Sequence, residues 1–196
     1  MLARDFRAVL DAAAGGDELA FAKLWRDVHP ALLRYLRVLA KDETVAEDVA
    51  SEVWVDVTRR LPDFVGDESA FRGWLFTLAR RRTIDVWRQA QRSPVHLTGD
   101  DADLDRAGGH DTAGSALERM STQRALELIA TLPRDQAEAI ALRVIAGMDV
   151  KDVAHLLGKR PGAVRVAAHR GLRTLAARLS AQQPRDRMPR GSDVPR

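Results

Sequence analysis

DVKDVAHLLGKRPGAVRVAAHRGLRTLAARL, residues 149–179, is the stretch on which the fold turns. Asp149 stands where an N-cap is needed, and Asp152 follows three residues later as a short-armed capping box. Val150, Val153, Ala154 and Leu157 fall on one side of a short helix. Gly158 is placed for a tight turn, and Pro161 opens a longer helix at the position where its missing N–H costs nothing. Val164, Ala168, Leu172, Leu175 and Leu179 recur at helical spacing and predict its buried stripe. A short helix, a glycine turn and a longer basic helix is a helix-turn-helix, whose second helix enters the DNA major groove by its N-terminal half. Arg165, His169, Arg170 and Arg173 lie off the stripe, where arginine can fork onto guanine edges or hold phosphates. Gly162, Ala163 and Ala167 are small enough to let the helix lie close to DNA. For His169 alone, a phosphate contact or a plain surface position is expected ahead of base reading, and no partner ligands suggest a metal.

Working outward, Leu132-Pro133 starts the preceding helix, with Ile140, Ala141, Val144 and Ile145 as its apolar stripe and Gly147 as a left-handed stop. Helical pattern resumes at Leu117. Before it, residues 93–116 (SPVHLTGDDADLDRAGGHDTAGSA) are rich in Gly, Asp, Ser and Ala and poor in large apolar groups. Such a stretch buries too little surface to offset its ordering entropy and reads as a flexible acidic linker. The tail from Ala181, with three prolines, reads as disordered.

Upstream of the linker the pattern is again helical. Residues 17–40 place Leu19, Ala20, Leu24, Val28, Leu32, Leu36 and Leu39 at helical spacing, and Pro30 should kink or split the segment. Asp42 is the expected cap of a helix over 42–60, with Val45, Val49, Val53 and Val57 as its stripe, widened by Ala46, Ala50 and Trp54. Leu61-Pro62-Asp63 ends it. A loop through Gly66 leads to Ser69, the expected cap of a helix to about Arg92. The fold class is therefore all-α: two small helical domains joined by a flexible acidic linker, the second a helix-turn-helix.

The chain has 196 residues, no cysteine and a net charge of +3. Disulfides and thiolate metal sites are excluded, which fits a reducing cytoplasm. No apolar run is long enough to span a membrane, and the acid-bearing N-terminus does not read as a secretory signal. The small net charge hides strong local fields. Residues 42–56 hold six acids and no base, residues 71–92 hold six arginines against Asp85, and residues 158–178 hold six bases and no acid. An acidic helix is repelled by DNA and suits a basic protein surface. In 69–92, Phe71, Trp74, Leu75 and Leu78 form an apolar face, while Arg81, Asp85, Arg88 and Arg92 share another. Rings beside arginines suit a strand with exposed bases, although Trp74 and Phe76 are expected in the core. Trp87, near the basic end, stands evenly between the two.

These residues resemble a family. AEDVASEVWVDV at 46–57 is similar to the core-polymerase-binding helix of the extracytoplasmic-function (ECF) sigma factors. FRGWLFTLARRRTIDVWR at 71–88 resembles their −10-reading helix, and residues 132–172 resemble their −35-reading region four. The resemblance implies a region 2 domain over 1–92, a linker over 93–116, a region 4 domain over 117–180 and a tail over 181–196. It implies that Glu47, Asp48, Ser51 and Glu52 dock on core RNA polymerase. Arg72, Arg80, Arg81, Asp85, Trp87, Arg88 and Arg92 would serve −10 DNA, with loop 63–70 cradling a flipped base. Lys159, Arg160, Arg165, His169, Arg170 and Arg173 would serve −35 DNA. Partners implied are core polymerase, promoter DNA and an anti-sigma factor, with no membrane insertion and no small-molecule substrate. Arg81 stands where the family usually has Asn, Val86-Trp87 where His-Leu is common, and Lys159-Arg160-Pro161 lacks the usual hydroxyl cap. Catalytic residues, metals and cofactors are expected to be absent: no Gly-rich phosphate loop or catalytic triad can be placed, and the five histidines are scattered. The competing readings are a duplex-binding regulator with an N-terminal sensor and a protein-interaction module. A sensor domain has no reason to carry the 46–57 and 71–92 pair, and an interaction module predicts no salt-sensitive DNA binding.

Overall fold

The structure, a computed structural model, describes residues 5–92 and 113–182; most of the expected linker and the tail from 183 lie outside them. Asp17 begins the first long element. Its carboxylate accepts from the Ala20 amide at 3.0 Å, and helix α2 (Glu18–Ala40) follows. Before it comes a short helix, α1 (Phe6–Ala14), which the sequence reading does not place. Its Phe6 ring packs on Phe71 at 5.7 Å between centroids. Pro30 does not split α2. It lies on an exposed side, so the carbonyl one turn back, left without an amide partner, faces solvent. Leu19 is exposed instead of joining the stripe, because Ala20 takes the inward position one residue later.

Helix α3 (Glu43–Arg60) is capped by Asp42 as expected, with Val45 N–H donating at 2.9 Å. A 3-10 turn (Leu61–Asp63) leads to α4 (Glu68–Arg92). The cap of α4 is Asp67, which accepts from Ala70 N–H at 2.8 Å; the expected Ser69 sits inside the first turn. Phe71, Leu75, Phe76, Leu78 and Ala79 are buried against α2 and α3, with Phe76 edge-on to Tyr35 at 5.2 Å. Trp74 is half-buried and stacks on Phe64 at 5.1 Å.

The C-terminal bundle begins with α5 (Ala113–Ala130), four residues inside the expected linker. Helix α6 (Arg134–Ile140) runs into a π turn (Ala141–Ile145). The wider turn shifts the register, so Val144, expected on the apolar stripe, is exposed. Gly147 and Gly158 take left-handed φ values of 68° and 63° at the two expected turns. Asp149 accepts from Lys151 and Asp152 N–H at the start of α7 (Val150–Leu157). In α8 (Pro161–Gln182) the expected stripe is covered only at its N-terminal end. Val164 is buried and Ala168 and Leu175 are half-buried, but Leu172 and Leu179 are each 50% exposed, Leu179 across an open cavity from Met120, Ala125 and Leu128 of α5. Gly171 lets α8 press against α6, where a Cβ would stand 2.5 Å from Ile140 Cδ1. Helix α2 packs against α1, α3 and α4 on one side and α5, α6 and the π turn on the other, so the two bundles share one continuous core.

Candidate protein-docking and nucleic-acid interfaces

Burying Val49, Val53 and Val57 of α3 turns Asp48, Ser51, Glu52 and Val55 to solvent on the opposite side. Glu47 is half-buried at the edge, 3.7 Å from Arg37, which also pairs with Glu43. Ser51 Oγ donates to the Glu47 carbonyl at 3.0 Å and so stays close to the helix. Behind the outward acids lies an inward one. Asp56 is buried, and Arg82 of α4 donates to its Oδ2 from Nε at 3.1 Å and Nη2 at 2.7 Å. That hydrogen bond, against the opposing effect of burial, holds the Asp56 carboxyl below its ordinary range. Arg82 also lies 3.4 Å from Glu52, so one guanidinium ties the acidic helix to the basic one.

At about 100° per residue, the run Arg80-Arg81-Arg82 points three ways. Arg82 turns inward to Asp56, Arg81 is exposed, and Arg80 reaches across to the C-terminal bundle, with Nε 2.6 Å from Glu138 Oε1. Arg88, 3.7 Å from Asp85, and Arg92 are exposed along the end of α4. Arg72 is placed differently from the rest. It is mostly covered and holds Asp27 at 3.2 Å and Glu68 at 3.1 Å. Trp87 is half-buried, with the Arg134 guanidinium 4.5 Å over its ring.

Arg160, just before α8, and Arg165, His169, Arg170 and Arg173 on it are all exposed, and Gly162 and Ala163 beside them present no bulk. Lys159 is partly covered, with Nζ 2.5 Å from Asp135. The structure thus brings together an exposed acidic face on α3, a line of arginines on α4 and a basic face on α8. Sequence reasoning missed Arg82, although an acid at each of positions 52 and 56, one turn apart, was its signal. It also missed a ring cluster on α2 and α3. There Trp25 stacks on His29 at 4.3 Å, and Trp54 Nε1–H donates to His29 Nδ1 at 3.1 Å. Burial lowers the His29 pKa against the raising pull of Glu47. Among the described residues no group of His, Asp or Glu could hold a metal ion, and no helix is long and apolar enough to cross a membrane.

An all-helical chain with a helix-turn-helix at one end and an acid-faced, arginine-lined bundle at the other defines a class of DNA-binding protein with a second, protein-facing surface. Comparison with known proteins narrows the class. Residues 24–93 match the family described as Sigma-70 region 2, and residues 122–175 match Sigma-70 region 4. The chain is 34% identical over 178 residues to the ECF RNA polymerase sigma factor ShbA of Streptomyces griseus, covering 87% of this chain and 93% of that protein. It is 31% identical over 181 residues to the ECF sigma factor SigD of Mycobacterium tuberculosis, covering 89% and 84%. With BldN of Streptomyces coelicolor it shares 28% identity over 171 residues, covering 87% of this chain and 64% of that longer protein. Among solved structures, CnrH in complex with the cytosolic domain of CnrY superposes with a TM-score of 0.62 at 25% identity, covering 91% and 99%. RpoE of Bartonella quintana, solved with the anti-sigma factor NepR, shares the fold with a TM-score of 0.61 at 22% identity, covering 83% and 98%. The chain belongs to the ECF RNA polymerase sigma factors. It is a transcription-initiation subunit that binds core RNA polymerase and promoter DNA.

Proposed function

We propose that three surfaces divide this work. Glu47, Asp48, Ser51 and Glu52 on α3 dock on core polymerase. Arg80, Arg81, Trp87, Arg88 and Arg92, with Asp85 orienting Arg88, meet the −10 element. Arg160, Arg165, His169, Arg170 and Arg173 meet the −35 element, with Lys159 at the edge. Arg72, spent on Asp27 and Glu68, holds α4 to α2 and serves the −10 surface through position alone. The domain bounds that go with this reading are 1–92, 93–116, 117–180 and 181–196. The protein performs no reaction of its own: polymerase does the chemistry, in the cytoplasm, and this subunit recognises the promoter and opens it. Control by an anti-sigma factor fits the relation to CnrH, which was solved in complex with the cytosolic domain of CnrY.

The observation that carries the assignment is the outward face of α3, where Asp48, Ser51 and Glu52 are exposed while the inward Asp56 is neutralised by Arg82. The test is co-elution with core polymerase on size exclusion. The wild type should co-elute, and an Asp48→Arg, Glu52→Arg variant should not while still binding duplex DNA. Retained co-elution in the variant moves the docking surface off α3.

A further inference from the structure

Where α5 packs on α2, the two helices border an open cleft of about 680 Å³. That lies within the usual size of a ligand pocket, about 300–1,000 Å³. Four guanidiniums line it, Arg34 and Arg37 from α2 and Arg119 and Arg124 from α5. Among the described residues its one lining carboxylate is Glu127, to which Gln123 of the same helix donates at 3.2 Å. The floor is apolar, built by Pro30, Leu33 and Leu126. The arginines are not equivalent. Arg37 pairs with Glu43 and Glu47, yet its Nε is buried and finds no acceptor among the described residues. Arg34 and Arg124 are exposed and make no hydrogen bond or ion pair with any described residue. Two uncompensated cations on one cleft repel each other, and an anion between them turns that cost into attraction. A guanidinium fork matches two phosphate oxygens at once. Forks from two helices therefore call for more than one phosphate, while the apolar floor has no use for an inorganic anion and suits a flat ring.

We propose that this cleft binds a nucleotide carrying two or more phosphates. Arg34 and Arg124 hold the phosphates from the α2 and α5 walls, Arg37 offers its unused Nε–H, and the base rests on Pro30 and Leu33. The site shares no residue with the arginine line of α4 or the basic face of α8, and none with the outward acids of α3. Its occupant touches α2 and α5 together, so binding should raise the melting temperature of the free chain.

The DNA-facing helices also attract polyphosphates, so the test must separate the two places. The full-length chain is titrated by calorimetry with adenosine triphosphate, guanosine triphosphate and inorganic triphosphate, at about 0.15 M salt to screen weak surface binding. At least one nucleotide should bind at a single site, and inorganic triphosphate about tenfold more weakly, because it leaves the floor uncovered. Arg34→Ala and Arg124→Ala should each weaken the nucleotide about tenfold, the loss of a charge-assisted hydrogen bond. Both residues are exposed and unpaired, so the melting temperature without ligand should stay that of the wild type. The Arg165→Ala, Arg170→Ala double variant should keep nucleotide affinity while losing duplex DNA. No binding of either nucleotide at about 1 mM overturns the proposal. So does nucleotide binding that survives Arg34→Ala and Arg124→Ala but falls in the Arg165→Ala, Arg170→Ala variant, which moves the anion to α8. Equal affinity for inorganic triphosphate and both nucleotides overturns the assignment to a nucleotide.

Discussion

Replacing Arg82 by alanine and replacing Asp56 by alanine break the same ion pair but should not cost the same. The Asp56 side chain is 9% exposed and that of Arg82 is 41% exposed. Without Arg82, a buried carboxylate loses its hydrogen-bond donor and keeps only the weaker pull of Arg60 and Arg59. Breaking fully buried pairs in this way costs about 3–5 kcal/mol, and the slight exposure here puts Arg82→Ala near the lower end, about 3 kcal/mol. Without Asp56, the guanidinium, 41% exposed, swings to water and to Glu52, already 3.4 Å away, so Asp56→Ala should cost about 1.5 kcal/mol, the low end of the range for a hydrogen bond to a charged group. The gap of about 1–2 kcal/mol is measurable by urea unfolding at neutral pH from the midpoints, provided the slopes agree. The double variant should be no less stable than Arg82→Ala alone. The pH dependence has a definite sign. The folded Asp56 value lies below the unfolded one, so the pair contributes above the ordinary carboxylate range and is lost as pH falls through the folded value. In Arg82→Ala the stranded carboxyl instead favours its protonated form, so the deficit against wild type should shrink on acidification. An Asp56→Ala variant as unstable as Arg82→Ala, or a deficit that is flat with pH, refutes the asymmetry.

Gly171→Ala must displace the end of Ile140, 2.5 Å from the added Cβ, and should lower stability by about 1–2 kcal/mol in a thermal melt. Gly158→Ala meets no atom but is held at φ 63°, so its cost of about 1 kcal/mol is backbone strain alone. Gly66→Ala would set a methyl 2.7 Å from Ala70 Cβ and 2.9 Å from the Phe64 ring, and the shift in the Phe64–Trp74 stack should appear in tryptophan fluorescence. Arg165→Ala should weaken −35 duplex binding and reduce its salt slope by about one without affecting polymerase co-elution, whereas Lys159→Ala, already paired with Asp135, should do less.

What sequence made legible was local chemistry. Asp42 and Asp149 cap their helices because a short carboxylate followed by apolar periodicity leaves few other uses for it. Gly147 and Gly158 turn left because no other residue nearby does so without strain. The cap of α4 shows where such reading stops. Asp67 and Ser69 are both competent and two residues apart, and the register of Phe71 against α2 and α3, a tertiary matter, decides for Asp67. Likewise α1 has Phe6, Leu10 and Ala13 on one face, too short a pattern to stand out before Phe71 is known to lie opposite.

The candidate site was legible in charge and illegible in direction. Three adjacent arginines count as one basic run in sequence, yet helix rotation sends one to Asp56, one to solvent and one to Glu138. Each partner lies on another helix, and Glu138 is 58 residues away. The stripe of α8 errs the other way. Its spacing is right to the end, but periodicity reports which side would be buried and not how closely the neighbour packs; past Gly171 the helix faces α5 across an open cavity, and Leu172 and Leu179 stay half in water. Partners across helices decide whether an arginine holds the fold together or faces DNA. That is why Arg72 and Arg82 hold helices together, while Arg81, Arg88 and Arg92 stay exposed on α4.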